Sequence, residues 1–346
     1  ENTDFKLYKM QADEYAILNE NGLDNADEYI KELHDKLENH KIYFKNQEIH
    51  IRITAGAAYE DSKTVLAKAD MSLKRAKKTR RSYLLYDESM AVMKEYEENF
   101  KWLNMLKSAL EEDRLVSFFQ PIYDNKQGII NKYECLARLI SPEGNIYSPY
   151  FFMDISKKSR LYQKITRKIV TDAFETFQYN NATFSINISI DDILDDNTVD
   201  FIFEGIKKYS IGERVIFEIL ESEGIENYEN VAEFINLAKN LGAKVAIDDF
   251  GSGYSNFSHI LKLNIDFIKI DASIIKNSDT DTNSQIISQT IVDFSKKLGI
   301  KTVAEFVHSR DVFDMVKKFG VDFSQGYYLG EPKKELIFTP NFELVK

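Results

Sequence analysis

An α/β fold closed into a (β/α)₈ barrel is the prediction for residues 116 to 346, on three observations. The stretch is about 230 residues long, close to the ~250 typical of such barrels. It contains eight short apolar runs with helical patterns between them. Nearly every run carries a polar residue near its end, as a barrel requires when its site lies at the carboxyl ends of different strands.

The runs follow one another in order. Phe118-Phe119-Gln120-Pro121 opens the first, and Lys132 to Ile140 forms the second, with Glu134 inside it. Ser185-Ile186-Asn187-Ile188-Ser189 is the third, and Val215 to Ile219 carries Glu218. Val245 to Ile247 ends on Asp248, and Phe267 to Ile270 carries Lys269. Thr302 to Ala304 ends on Glu305, and Val321 to Ser324 ends on Gln325. Between them Val231, Phe234, Ile235 and Ala238, then Ile287, Ile291, Phe294 and Leu298, recur at helical spacing.

A strand's period of two fixes which way these residues point. Asn187 shares a face with Ser185 and Ser189, whereas Ile186, Ile188 and Ile190 take the other. In a barrel the isoleucines pack under helices and Asn187 looks inward. Glu134 and Arg138 also share a face, setting a metal-type ligand near a phosphate-type one.

Residues 245 to 253, Val-Ala-Ile-Asp-Asp-Phe-Gly-Ser-Gly, drive an apolar run straight into two adjacent acids and a glycine-broken loop. Buried carboxylates are costly without a cationic partner. Taken alone, the stretch reads equally as a structural turn or a metal site. The same holds for each neighbour: Lys269 could pair with Asp271 or Asp266, Asn187 could be a satisfied core amide, and Gln325-Gly326 could be a turn. Together, Glu134, Asn187, Glu218, Asp248, Asp249 and Glu305 on successive strands would converge in one cup. So many carboxylates would raise one another's pKa unless cations neutralise them. Oxygen ligands with one amide select Mg²⁺, Mn²⁺ or Ca²⁺ over a thiolate metal. Adjacent aspartates suit a two-metal site acting on phosphorus.

Upstream, apolar runs around Phe5 to Tyr8 and Tyr15 to Leu18 flank a short acidic turn and predict a β-hairpin. Residues 26 to 38 predict a helix from Tyr29, Ile30, Leu33 and Leu37. Ile49, Ile51 and Ile53 alternate as a half-buried strand, and Val65, Leu66, Ala69, Leu73 and Ala76 continue as a helix. The basic run from Lys74 to Arg81 reads as a solvated helix end favoured by the macrodipole. Tyr96, Phe100, Leu103, Leu106 and Leu110 then mark one apolar face of a connecting helix without Gly or Pro.

The formal charge of −11 argues against polymeric nucleic acid as a partner, yet leaves room for a phosphate ligand held through metals. One cysteine, Cys135, permits no internal disulfide and fits a reducing compartment. No run of 18 apolar residues and no signal peptide is present, so the expectation is cytoplasmic, as a free protein or the cytoplasmic part of a membrane-anchored one. The five histidines lack zinc spacing, and Ser252 and Ser255 lack a His/Asp relay. A barrel glycosidase needs only two carboxylates and would leave Asn187 and Lys269 idle.

Two resemblances sharpen this. Gln11-Ala12-Asp13-Glu14-Tyr15 and Ala69 to Lys77 resemble the signature hairpin and late helix of a GGDEF domain. Gln11 and Ala12 replace both signature glycines, and the inhibitory-site positions hold Asn2 and Phe5, so this part is expected to be catalytically inactive and regulatory. The chain is expected to start partway through such a domain, with an upstream sensory region outside it.

The second resemblance is to the EAL family of cyclic di-GMP phosphodiesterases. Tyr133-Glu134-Cys135-Leu136-Ala137-Arg138 resembles its signature, with Cys135 in the alanine place. Ser185 to Ser189, Phe217 to Glu221, Asp248 to Gly253, Ile268 to Asp271, Ala304 to Val307 and Gln325 to Tyr327 fall in the family's order. It implies a modified TIM barrel with one antiparallel strand over residues 114–346, after a partial α+β GGDEF-like domain at 1–87 and a linker helix at 88–113. It further implies hydrolysis of cyclic di-GMP to linear pGpG with two Mg²⁺ or Mn²⁺ ions, Ca²⁺ being inhibitory, in a homodimer through the barrel.

By position, Asp248 would bridge two metals, with Glu134, Asn187 and Glu218 completing one sphere and Asp249 and Glu305 serving the other. Lys269 would hold the attacking water, Gln325 would position water, and Gln120 and Arg138 would contact the dinucleotide. Glu221 would brace the loop from Asp249 to His259. His308 stands where the family has a second glutamate and Phe306 where it has glycine. The alternative function is a receptor that holds cyclic di-GMP without cleaving it.

Overall fold

Alternation along the chain produces the architecture. The structure is a computed structural model that describes residues 5–11, 14–19, 26–45, 47–49, 53–59, 64–87, 92–252, 263–340 and 342. Contacts divide the chain into two units, Glu1–Glu98 and Asn99–Lys346.

In the first unit β1 (Phe5–Gln11) and β2 (Glu14–Asn19) form the expected antiparallel hairpin. Helix α1 (Ala26–Glu38) follows, then β3 (Ile42–Phe44) against β4 (Gln47–Ile49). The predicted strand through Ile51 lies partly outside the described residues, as do Asn2 and Ala12. β5 (Ala55–Ala57) pairs in parallel with β6 (Tyr83–Leu85) around α2 (Val65–Thr79). The basic end of α2 is solvated: Lys74 pairs with Asp70 at 2.8 Å and Lys77 with Glu14 at 2.8 Å, both lysines being exposed.

The connecting helix is α3 (Val92–Glu111). Its predicted face needs one correction. Phe100 is 67% exposed, while Leu106 and Ala109 are buried and Trp102, Leu103, Met105 and Leu110 pack beside them. The stripe holds from Leu103 onward; the Tyr96 side chain lies outside those described, and Phe100 lies a turn before the helix meets the barrel's core.

The barrel strands are β7 (Leu115–Asp124), β8 (Ile129–Ile140), β10 (Thr183–Asn187), β11 (Val215–Leu220), β12 (Lys244–Phe250), β13 (Phe267–Ile270), β14 (Lys301–Ala304) and β15 (Phe323–Gln325). A two-residue β9 (Ile146–Tyr147) folds back on β8. Each strand from β10 to β15 pairs in parallel with the next, and β10 closes the ring on β8. β7 runs antiparallel to both β15 and β8. Short or amphipathic helices separate the later strands: α4 (Met153–Lys158), α5 (Tyr162–Phe177), α6 (Ile190–Ile193), α7 (Asp196–Tyr209), α8 (Glu221–Glu226), α9 (Tyr228–Asn240), α10 (Ala272–Ile275), α11 (Thr282–Leu298) and α12 (Arg310–Phe319).

Two layers of side chains result from the period of two. Outward residues such as Ile186, Phe217, Ile219, Val245, Ile247, Ile268 and Ile270 are buried in the main apolar cluster with Val231, Phe234 and Ile291 from the helices. Inward, Ile122, Ile216, Ala246, Phe267, Val303 and Phe323 form a second, separate cluster. These six plug the barrel's lower interior, so inward polar residues two positions later sit above an apolar floor. The pairs are Ile216 and Glu218, Ala246 and Asp248, Phe267 and Lys269, Val303 and Glu305, and Phe323 and Gln325. Lys132 reaches into that floor, its ammonium 5.0 Å from the Phe323 ring centre and 5.7 Å from that of Phe267.

Candidate active site

Lys269 stands at the centre of the cup. Its side chain is 1% exposed, and its Nζ lies 2.8 Å from Glu218 Oε2, 2.9 Å from Asp248 Oδ1, 2.9 Å from Glu305 Oε1 and 3.4 Å from Glu134 Oε2. The four acids arrive from β8, β11, β12 and the residue after β14. The simpler pairing with Asp266 does not occur, because Asp266 receives Lys239 at 3.1 Å and the Val245 N–H at 2.9 Å on the opposite end of β12.

Two amides complete the polar layer. Asn187 donates from Nδ2 to Glu134 Oε1 at 2.8 Å, and Gln325 donates from Nε2 to Glu134 Oε2 at 2.6 Å and to Gln120 Oε1 at 3.2 Å. Glu134 is therefore gripped on both oxygens. Although burial opposes its charge, Lys269, Gln325 and Asn187 together hold it below the usual carboxylate range. Gln120 is buried behind Gln325, where its Nε2 faces the Gly330 carbonyl at 3.5 Å. The chain from Gln120 through Gln325 to Glu134 links strands β7, β15 and β8, a connection that no sequence spacing announces.

The other acids are unsettled by the same burial. Glu218 is pushed well above the carboxylate range by burial and by the charge of Glu134, against the pull of Lys269. Burial likewise lifts Glu305 to about 8, with Lys269 opposing and Asp248 and Glu134 reinforcing the rise. Asp249 goes to about 6 through burial and the charges of Asp248 and Asp271. Lys269 is raised well above its ordinary value, since four surrounding carboxylates outweigh the cost of its burial. One ammonium does not balance this many acids, and further positive charge is what the cup is short of.

The donor set fits divalent cations of the hard class. Ligand atoms of Glu134, Glu218 and Asp248 lie within 4.8 Å of one another, and so do those of Asp248, Asp249 and Glu305. Asp248 belongs to both groups. All donors are oxygens, which is Mg²⁺, Mn²⁺ or Ca²⁺ chemistry.

The local backbone explains how neighbouring acids reach the same cup. The β12–β13 register shifts between Ile247 and Phe250, and Asp249 adopts φ 54°. This irregularity lets the strand end carry consecutive acids toward one centre, which strict alternation forbids. Glu221 Oε2 accepts the Gly251 N–H at 3.1 Å, holding the segment just past Asp249. The rest of the loop to His259 lies outside the described residues. Arg138, two residue pairs above Glu134, is partly buried with Nη1 on the Ala137 carbonyl at 2.8 Å and lies near Tyr327. Cys135 is buried on the outer layer among apolar side chains. His308 turns its Nδ1 toward the Phe306 carbonyl at 3.3 Å and its ring toward that of Phe306.

The fold and the site together define an eight-stranded barrel with one reversed strand that carries a cup of oxygen donors at its carboxyl mouth. Residues 103–332 match the EAL domain, and the chain belongs to that family. It is 28% identical over 325 residues to the cyclic di-GMP phosphodiesterase PdeB of Shewanella oneidensis, covering 91% of this chain and 37% of that protein. It is 29% identical over 235 residues to the probable cyclic di-GMP phosphodiesterase PdeG of Escherichia coli, covering 66% and 46%. The chain thus spans less than half the length of these curated relatives. In fold it resembles the FimX EAL domain from Pseudomonas aeruginosa bound to c-di-GMP, with a TM-score of 0.64 at 23% identity over 68% of this chain and 97% of that one.

Proposed function

We propose that this chain hydrolyses cyclic di-GMP to linear pGpG. The observation that carries the reading is the convergence of Glu134, Glu218, Asp248 and Glu305 on Lys269 above an apolar floor. Family membership and the names of the relatives point the same way.

Glu134, Asn187, Glu218 and Asp248 would hold one Mg²⁺ or Mn²⁺ ion, and Asp248, Asp249 and Glu305 a second. Bound there, such ions supply charge neutralisation and an activated water for in-line displacement at phosphorus. Lys269 keeps its proton across the working pH range and holds the attacking oxygen by a charge-assisted hydrogen bond. Gln325, anchored by Gln120 and Glu134, orients water at the same mouth. Arg138 presents its guanidinium to the dinucleotide's phosphate. The apolar floor closes the cup from below and keeps bulk water from the acids. We assign the segment upstream of residue 88 a regulatory, non-cyclase role, since Gln11 ends β1 where the resemblance to a GGDEF hairpin calls for glycine.

The test is incubation of purified protein with cyclic di-GMP and Mn²⁺, with products resolved by chromatography. Formation of pGpG that stops on chelation supports the reading. Tight binding without pGpG at saturating metal would replace it with a receptor.

A further inference from the structure

We infer that Phe306 is a substrate-contacting specificity residue, its ring and the neighbouring His308 imidazole forming a stacking platform for a purine base. The inference rests on the phosphodiester reading of the cup and deepens it, by assigning a base-recognition surface to residues beside the acids.

Strict alternation along β14 would send Phe306 outward. Val303 and Glu305 face the barrel interior, while Thr302 and Ala304 are buried on the other layer. Phe306 should follow them under the helices, where a phenylalanine would be removed from water. It adopts φ 54° instead and is 54% exposed. Left-handed backbone is disfavoured for a bulky residue, and an open ring forgoes burial. The conformation is held firmly nonetheless, since the Val307 N–H donates to the Gln325 carbonyl at 2.9 Å and the Tyr328 N–H to the Val307 carbonyl at 3.2 Å.

Other positive-φ residues other than glycine show what is unusual here. Arg80 and Ser210 are helix C-caps, and Lys45 lies in the turn between β3 and β4; these residues are polar or charged and suit such positions. Among the described residues Phe306 is the only apolar side chain in that region of the map. Local rules broken twice at one position, beside a cup of charges, mark a functional surface better than a packing choice.

Position supplies the occupant. Phe306 directly follows Glu305, whose carboxylate is 2.9 Å from Lys269, so its ring borders the place where a phosphodiester would sit. His308 extends the surface, its ring centre 5.5 Å from that of Phe306 with planes inclined by 43°. Tyr327, 55% exposed, lies in the segment bonded to Val307 and near Arg138. A nucleotide whose phosphate enters the cup must place its base on the rim, and aromatic faces are what bases stack on.

Phe306→Gly provides a clean test, because glycine adopts this φ freely and the fold is not put at risk. In the full chain, the Kd for cyclic di-GMP measured with Ca²⁺ and the KM measured with Mn²⁺ should both rise about tenfold, the scale of one lost base stack. The kcat should stay within about twofold, as expected when ground-state and transition-state binding are lost equally. Phe306→Trp should restore affinity and Phe306→Leu should not. Unchanged Kd and KM in Phe306→Gly, or full affinity in Phe306→Leu, would overturn the stacking assignment while leaving the hydrolase reading intact. A wild-type chain that neither binds nor cleaves cyclic di-GMP would overturn both.

Discussion

Lys269 Nζ sits 2.8 Å from Glu218 Oε2 with both side chains almost closed to solvent, and it is shared with three further carboxylates. Among the described residues the Lys269 ammonium is thus the shared counter-ion of a buried acidic cup.

Replacing Lys269 with methionine should remove the cup's internal counter-ion at nearly constant volume. Breaking a buried ion pair from one side costs roughly 3–5 kcal/mol, because uncompensated charge remains. Thermal unfolding of metal-free K269M should reveal that loss, and Mn²⁺ should recover much of the stability but little of the activity. Turnover should drop by about 10²–10³, the usual scale for losing one preorganised donor at the reacting oxygen. A variant with near-normal kcat would show that Lys269 is structural alone.

The metal-free protein should lose stability as pH rises from about 5 to 8. Glu305, at about 8 in the fold, and Asp249, at about 6, bind protons there that the unfolded chain has already released. The native state holds more protons across this window, so stability falls with pH. Glu134 acts oppositely, its contribution being present above the unfolded carboxylate pKa and fading as pH falls below it. Calorimetry with chelator should show the decline, and Mg²⁺ should stabilise more at pH 8 than at pH 5. A metal-free Tm that climbs over this range would contradict the assigned directions.

Asp248→Asn should abolish turnover while the fold survives. Asp248 is the one acid common to both candidate ion groups, and an amide keeps its shape while halving its capacity to hold cations. Circular dichroism should match the wild type while pGpG production disappears. Persisting activity would show that Asp248 does not bridge.

Gly326→Ala should damage the site from behind. A Cβ at Gly326 would lie 2.1 Å from the Val307 carbonyl oxygen and 2.3 Å from its nitrogen. Backbone cannot yield as a side chain does, so the segment carrying Glu305 must shift. A loss of roughly 1–3 kcal/mol is expected from such overpacking, with turnover falling further than unfolding explains. Assays at a temperature where the variant is fully folded separate the two effects.

Glu221→Gln should be milder than Glu221→Ala. The amide oxygen can still accept the Gly251 N–H, whereas alanine leaves it open. The Mn²⁺ concentration for half-maximal activity should rise about tenfold in the alanine variant, the scale of lost outer support. Equal values in the two variants would remove Glu221 from loop control.

Much of this was legible in the chain because periodicity and chemistry agreed. The alternation that set Asn187 with Ser185, and Glu134 with Arg138, also gave each of the five strands β11 to β15 an apolar inward residue followed by a polar one. Five repeats of that pattern within eight alternating strands favour a barrel with an apolar floor and a polar mouth, a placement that buries the isoleucines and spares the acids. What only the tertiary structure decided are relations across strands and breaks in period. Lys269 took four distant carboxylates rather than nearby Asp266, because strand direction puts Asp266 at the barrel's other end. Phe100 left the predicted stripe, and Phe306 left its strand's outward face. Period fixes which face a side chain takes, but bulges and closure of the ring decide what it meets there.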